Sequence, residues 1–580
     1  MIKFSQKLLK PYTVSILAVG FLQLLQALLT LILPRINSGI IDVGIVNRDV
    51  PYITKLMIIM ILLSVLQFAC AMAGSTKGAA IALGAGRDLR SRVYRKILGF
   101  SGREAGEFGA PVLITRATND VQQIITFFTF FFTSMVSAPL MFIGGLVLAI
   151  SQDLRLSTVL VVTIPLLVII SAVFLISVLP YYRKQQTRMD ELTTVVNDEI
   201  FGVRVVKAFS REDFEKEKMT RIASELSAIN TTIAQKTAML QPLFTVLVNI
   251  SSIVLLWIGG TYASEGDFRI GDVIAFITYV SMILTATLTA SLVFLMLPRA
   301  EVSAQRIQEI FDTNSSVTEP ADPVPMPEAG SGAGIEFRNV EFSYAGDDPD
   351  VACVLKDISF CMKPGTTTAV IGSTGAGKST LMSLVNRTMD PTKGSITYGG
   401  KDIREYPLKE LRSRIGYVPQ KAFLFSGTLR KNLLSGKSDA TDEELWEALD
   451  VAQARQFIEE SDGKLDMTVA ETGSNYSGGQ RQRLCIARAL VRRPQICLFD
   501  DSFSALDYST DLKLRRELKK ITGDSIVMIV GQRISSIMDA DQIIVLNNGR
   551  IEDIGKHEEL LTRSRTYQEI ASSQLKEEGA

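Results

Sequence analysis

The stretch GSTGAGKST, Gly372 to Thr380, carries residues suited to phosphate chemistry. It fits the spacing GxxxxGK[ST] and directly follows the apolar run TAVI. Backbone N–H groups of Gly372, Ser373, Thr374, Gly375, Ala376 and Gly377 can close around phosphate oxygens, because glycine admits the turns this needs. A helix starting there adds the positive end of its dipole. Lys378 would reach the β- and γ-phosphates, and the hydroxyl of Ser379, next to Thr380, would ligate Mg²⁺. A second stretch, ICLFDDSFSALD from Ile496 to Asp507, leads four apolar residues into two adjacent carboxylates. Asp500 fits the acid on the Mg²⁺ side. Asp501 stands where a water-activating acid is expected, on a side chain short for that task. Gln420, in YVPQKAFLFSGT, follows another short strand and could sense Mg²⁺ or the attacking water. Tyr344, in VEFSYAG, could stack on adenine, although its setting also suits an ordinary strand aromatic.

A third stretch, NYSGGQRQRLCIARAL from Asn475 to Leu490, opens a helix with SGGQ, so its N–H groups and Ser477 face a second anion. Two separate phosphate-seeking loops are odd for one nucleotide held by one domain. They make sense if the second loop serves a nucleotide held by another domain. The elements that must position these loops are legible between residues 335 and 575. TTTAVIG, QICLFDD, SIVMIVG and QIIVLNNG are short apolar runs of the buried-strand type, alternating with helical stretches. This predicts an α/β domain with a largely parallel sheet. Ahead of it, FDTNSSVTEPADPVPMPEAGSGAG is rich in Pro, Gly, Ser and acid and reads as a linker.

The first 300 residues differ in composition. Six apolar runs lie at roughly 12–34, 53–76, 124–151, 157–180, 239–264 and 270–297, each longer than the ~20 residues that cross a bilayer as a helix. The first lacks a small-residue cleavage site and is expected to stay attached. Basic residues concentrate between runs two and three (Lys77 to Arg116) and between runs four and five (Arg183 to Lys236). Positive charge stays cytoplasmic, which predicts both termini inside. The helix-forming stretches DLRSRVYRKIL and FGVRVVKAFSREDFEKEKM continue from the membrane into those connections. Mean hydropathy is +0.23. Net charge is zero over 61 basic and 61 acidic residues, which gives no basic signature for nucleic acid. The five cysteines form no CxxC pair and read as reduced apolar residues. The single histidine, His557 in GKHEEL, rules out a multi-histidine metal site and reads as a surface residue.

GSTGAGKST, YVPQ, YSGGQ, CLFDD and SALD, in that order, resemble the ATPase domain of ABC transporters. Six spans, with LITRATNDV and GVRVVKAFSRE in the cytoplasmic segments, resemble ABC exporter half-transporters, and the resemblance covers essentially the whole chain. It implies a multi-pass protein of the cell membrane. An all-α six-helix transmembrane domain would occupy 1–310, a linker 311–334, and an α/β P-loop nucleotide-binding domain, on the cytoplasmic side, 335–580. Cytoplasmic segments 77–123 and 181–238 would carry coupling helices, the second crossing to a partner's ATPase domain. The cofactors implied are ATP and Mg²⁺, the metal held by Ser379, Gln420 and Asp500. Two chains would pair head to tail. Each ATP would lie between one chain's Walker motifs and the other's signature, here Ser477, Gly478, Gly479 and Gln480, beside the D-loop Ser504, Ala505, Leu506 and Asp507.

Two linked positions depart from that pattern. Asp501 replaces the catalytic glutamate and Gln532, in IVGQRISS, replaces the switch histidine. Aspartate is one methylene shorter, which sets its carboxylate about 1.5 Å back, and a ~1 Å misplacement can cost ~10²-fold in rate. Glutamine lacks the imidazolium charge. The groups that bind ATP remain. The chain thus looks like the degenerate-site subunit of bacterial heterodimeric multidrug-type exporters, pairing with a second half-transporter that carries Glu and His. Its substrate class is expected to be hydrophobic or amphipathic compounds (drugs, lipids or peptides), because the runs lack a convincing buried charge and contain FFTFFFTS, with Phe127, Phe128, Phe130, Phe131 and Phe132. Three competing readings are a nucleotide-gated or regulatory ABC membrane protein, a homodimeric exporter whose aspartate works, and an importer.

Overall fold

The computed structural model describes residues 2–152, 154–264, 269–328, 332–344 and 353–578. The chain divides into two compact units, Met1–Leu98 with Pro111–Asp312, and Gly99–Ala110 with Thr313–Ala580.

The first unit is built from six helices long and apolar enough to cross a membrane: α1 (Phe4–Ile45), α2 (Val50–Leu98), α3 (Ala110–Gln152), α4 (Thr158–Ala208), α5 (Glu212–Thr261) and α6 (Ile270–Asp312). Apolar side chains point outward as well as inward; Phe21, Ile61, Val161 and Ile176 are exposed. Such all-round hydrophobicity is the pattern of helices solvated by lipid. The core gathers Leu31 of α1, Ala149 of α3, Leu160 and Leu167 of α4, Phe244 of α5 and Phe276 of α6. Tyr279 is buried and donates to the Leu31 carbonyl at 3.0 Å, tying α6 to α1. Close approach of α2 and α3 depends on Gly86, where a Cβ would meet Ile125 at 2.2 Å.

Polar groups fasten this bundle at two places. In LITRATNDV, the buried Asp120 accepts from Ser303 at 2.8 Å, and Arg116 pairs with Glu309 at 2.8 Å, so α3 is locked to α6. Near the other ends of these helices, the Ser38 hydroxyl, with one proton to give, lies 3.0 Å from Asp42 and 2.8 Å from Asp272, while Gln152 donates to Asp272 at 3.0 Å. The carboxylate of Asp42, half-buried beside Asp272, was not singled out by the sequence. Between α4 and α5 the chain reverses within Phe209–Arg211, with Ser210 in the left-handed region at φ 52°, and Phe201, Phe209 and Phe214 are exposed around this turn.

The second unit contains two larger sheets and a short antiparallel pair, Gly427–Thr428 with Thr468–Val469. Strands β1 (Ile335–Phe342), β2 (Leu355–Met362), β4 (Lys393–Tyr398) and β5 (Lys401–Asp402) form one, in the order β2-β1-β4-β5. The other orders β10 (Arg550–Gly555), β9 (Gln542–Asn547), β3 (Thr367–Gly372), β8 (Ile526–Val530), β7 (Ile496–Asp500) and β6 (Ile415–Val418). All neighbours in it are parallel except the β9–β10 pair. Every residue of ICLFD in β7 and of IVMIV in β8 is buried, as strands covered on both faces must be. Period-two alternation sends Cys497 and Phe499 into one core and Ile496 and Leu498 into the other. The sheet therefore presents its C-terminal edge, where β3, β7 and β8 end, as the place for a site.

Two other segments belong to this unit. Residues 313–327 run over it without regular structure: the buried Arg387 donates to Thr318 O at 2.8 Å, and Val324 N to Glu405 O at 2.9 Å. The short helix Gly102–Phe108, which lies in sequence between α2 and α3, opens with a capping box of Ser101 and Glu104. Glu104 is buried and accepts from Ser101 N at 2.9 Å and Ser316 N at 3.1 Å. Gly102 N donates to Thr388 O at 2.9 Å. Burial alone would raise the Glu104 carboxyl, but its bonds from Ser101 and Ser316 outweigh that and hold it below the ordinary value. Glu104→Ala leaves two amides without this acceptor and should lower the local unfolding free energy of residues 101–108 by about 1–3 kcal/mol, read as faster amide exchange. Because the folded carboxyl is the more acidic one, the wild-type protection should hold at neutral pH and fade below about pH 4.

Candidate functional site

The loop after β3 wraps into α7 (Lys378–Val385). Its tightness requires glycine at 377: φ is 99°, and a Cβ would strike Leu355 at 2.6 Å. Space above Gly375 is open. Lys378 Nζ donates to the carbonyls of Gly372 and Ser373, at 2.8 Å each, and so lies across the loop. Burial pushes its ammonium down in pKa, while the charges of Asp501 and Asp500 pull it back up. Ser379 donates to Asp500 at 3.1 Å. Asp500 is 3% exposed; burial raises its carboxyl, and the bond from Ser379 opposes this. Thr380 and Tyr344 share a hydrogen bond of 3.1 Å. The Tyr344 ring meets Phe342 edge-on at 5.0 Å and is itself exposed, so it is anchored beside the loop with a free face.

This donor set fits ATP with Mg²⁺: an open glycine cradle, one ammonium, and a hydroxyl–carboxylate pair at the end of a buried strand. Ser379 and Asp500 would hold the ion, whose charge, when bound, would screen the phosphate oxygens.

Asp501 follows β7 directly in the left-handed region, at φ 46°, a conformation aspartate tolerates better than most residues. Its N–H donates to Val530 O at 2.9 Å, and its carbonyl accepts from Ser504 at 2.9 Å. Burial raises its carboxyl above the ordinary value; the Ser504 and Gln420 side chains and the charges of Lys378 and Arg533 offset only part of this. The structure therefore brings Gln420, Lys378, Ser379, Asp500 and Asp501 to one place. Gln532, two residues beyond β8, is exposed. Its carbonyl accepts from Gln574 at 2.6 Å.

The stretch Ser477–Gln480 is built separately. Ser477 caps α8 (Gly478–Leu490) in a capping box with Gln480, at 3.2 Å and 3.0 Å. These bonds stay within the first turn. A Cβ at Gly479 would lie 3.0 Å from Ala505 O, so glycine lets the D-loop pass beneath the signature. Tyr476 is 7% exposed and its hydroxyl finds no partner among the described residues. Asp507 caps α9 (Tyr508–Ile521) by accepting from Thr510 N at 3.0 Å and from Ser509 at 2.7 Å; these bonds hold its carboxyl down to about 2. His557 shares a 2.7 Å hydrogen bond with the buried Tyr567.

Sequence reasoning passed over Ser502, which is fully buried and donates to Val418 O at 3.2 Å, joining β7 to the strand that leads to Gln420. A hydroxyl just past the acidic pair was its only signal. Gln574 and Arg515 were also passed over, and nothing in their local sequence marks them.

A nucleotide cradle on a parallel sheet, carried by a chain with six membrane-length helices, defines an ATP-driven membrane transporter. Residues 16–288 match the family model described as ABC transporter transmembrane region, and residues 355–504 match the one described as ABC transporter. An uncharacterized ABC transporter ATP-binding protein of Mycobacterium tuberculosis is 42% identical over 98% of this chain and 97% of its own length. One of Bacillus subtilis is 34% identical over 99% and 98%. A multidrug resistance ABC transporter ATP-binding and permease protein of Lactococcus lactis is 30% identical over 84% and 82%. The structure of a bacterial Atm1-family ABC exporter with ATP bound has the same fold, with a TM-score of 0.81 at 23% identity, covering 97% of this chain and 99% of that one. The chain belongs to the ABC transporter family, as an exporter-type half-transporter with its membrane and ATPase parts on one polypeptide. Lys378→Ala removes the one ammonium in the cradle. It should weaken Mg-ATP binding by about 10–150-fold, the worth of a hydrogen bond to a charged group, measured by equilibrium binding to the full chain.

Proposed function

We propose that this chain is one half of a heterodimeric ATP-driven exporter, and that its own Walker site binds ATP and hydrolyses it slowly. The observation that carries this is the joint replacement at two catalytic positions, Asp501 and Gln532, while Lys378, Ser379, Gln420 and Asp500 are retained. At Asp501 the carboxylate is one methylene short and half-buried. At Gln532 no positive charge is available to a γ-phosphate. A homodimer of such chains would have two impaired sites. The signature Ser477–Gln480 keeps its helix-capping geometry and would complete a full-rate site on a partner carrying Glu and His. ATP retained in the slow site would keep the two ATPase domains associated between turnovers.

In this reading both termini and the ATPase domain are cytoplasmic, as the basic connections argue. The cargo is hydrophobic or amphipathic. The multidrug names of the Lactococcus lactis relative and of a Mycobacterium tuberculosis multidrug efflux ATP-binding/permease protein, 31% identical over 84% of this chain and 40% of its own length, support that class. Of the five phenylalanines in FFTFFFTS, Phe130 and Phe131 are exposed, whereas Phe127, Phe128 and Phe132 are buried in packing; of these five, the first pair is free to meet cargo.

Purified alone, the full chain should bind Mg-ATP and turn it over slowly, and the Asp501→Glu/Gln532→His double variant should hydrolyse at least ~10-fold faster. Fast hydrolysis by the wild type alone would instead favour the homodimeric exporter, with Gln420 and Ser504 holding a shorter acid in a working place.

A further inference from the structure

The segment Gly531–Ser536 leaves β8 at the edge of the sheet where the carboxylates stand. Gly531 N donates to Val370 O at 3.1 Å, and the charge of Arg533 acts on Asp501. Beyond Gly531 the segment leaves the sheet, so its position depends on side chains. At its far end, Arg515 of α9 donates to Ser536 O. Arg515 also pairs with Asp511 at 2.7 Å and lies over the Phe503 ring at 4.7 Å. At its near end, the support comes from the last helix of the chain, α10 (Arg565–Glu578). Gln574 Nε2 donates to Gln532 O at 2.6 Å, and Gln574 Oε1 accepts from Ile534 N at 2.7 Å. One planar amide thus bridges the residues on either side of Arg533. Its orientation is set by its partners, because a carbonyl needs a donor and an amide N–H needs an acceptor.

We propose that Gln574 is a positioning residue of the nucleotide site: through these two bonds the C-terminal helix sets where Gln532 and Arg533 stand relative to bound ATP, and hence the rate of hydrolysis. The inference rests on ATP occupying the Gly372–Thr380 loop and not on that site being slow. Glutamine is the natural side chain for the task. An ionised glutamate can accept from Ile534 but has no proton for the Gln532 carbonyl. A protonated glutamate offers both a donor and an acceptor and restores the pair. Methionine is of similar length and makes neither bond.

The test uses the full-length chain in nanodiscs with Mg-ATP, following ADP formation in single-turnover mode so that slow rates are read. Wild type, Gln574→Met and Gln574→Glu are compared within the native sequence and again within the Asp501→Glu/Gln532→His background. Gln574→Met should speed exchange of the Ile534 amide and slow hydrolysis by about 10-fold or more, since displacement near 1 Å can cost ~10². The ATP concentration for half-maximal rate should stay within about twofold, because the loop that binds phosphate is untouched. Gln574→Glu should lag wild type at pH 8 and gain on it as the pH falls toward the ordinary glutamate value of about 4.3, where its carboxyl protonates. Unchanged hydrolysis in Gln574→Met despite faster Ile534 exchange would overturn the proposal. So would a Gln574→Glu rate that stays in fixed ratio to wild type at every pH, which would mean lost helix packing instead of lost hydrogen bonds. The slow-site reading is judged between the two backgrounds and the role of Gln574 within each, so either can fail without the other.

Discussion

The burial of Asp500 is the constraint around which the rest of the ATPase unit is organised. A strand covered on both faces delivers a carboxylate to a place with little water, and a buried carboxylate is costly unless hydrogen bonds or cations answer it. Ser379 and Lys378 supply both answers from the adjoining loop. The same arrangement explains the behaviour of Lys378, whose ammonium is destabilised by burial and recovered by two acids. Carboxylates, ammonium and hydroxyl are mutually dependent, and together they form a place with donors for a polyphosphate and acceptors for a divalent cation.

Around that centre the neighbouring segments are fastened by side chains rather than by the sheet. Ser502 ties the end of β7 to the strand before Gln420. Ser504 holds the Asp501 carbonyl, Arg515 spans from Phe503 to Ser536, and Gln574 reaches back from the last helix. These segments at the edge of the sheet are thus joined by short polar links between side chains and backbone. The signature helix is the exception. Its first turn is self-contained, with Ser477 and Gln480 satisfying each other's backbone.

The membrane unit uses polar groups sparingly and in the same manner. Lipid provides no hydrophobic drive to bring one helix to another. Hydrogen bonds such as Tyr279 to Leu31, and small residues such as Gly86, therefore select which helices touch. The knots at Asp120 and at Ser38 stand near opposite ends of the bundle and fix α3 to α6 and α1 to α6.

Much of this was legible in the linear chain, because the determining physics is local. Six apolar runs of membrane length, the short apolar runs that become β3, β7 and β8, and a glycine loop that must turn into a helix are properties of neighbouring residues. So are the pairs Lys378–Ser379 and Asp500–Asp501, and the identities of Asp501 and Gln532. Only the tertiary structure decided what meets over long separations. Glu104 belongs with Ser316 across 212 residues, Asp120 with Ser303 across 183, and Gln574 with the Gln532 carbonyl across 42. A buried glutamate or a glutamine in a helix has no local pattern that names its partner. That choice is made when packing brings two surfaces together and leaves one donor and one acceptor without water.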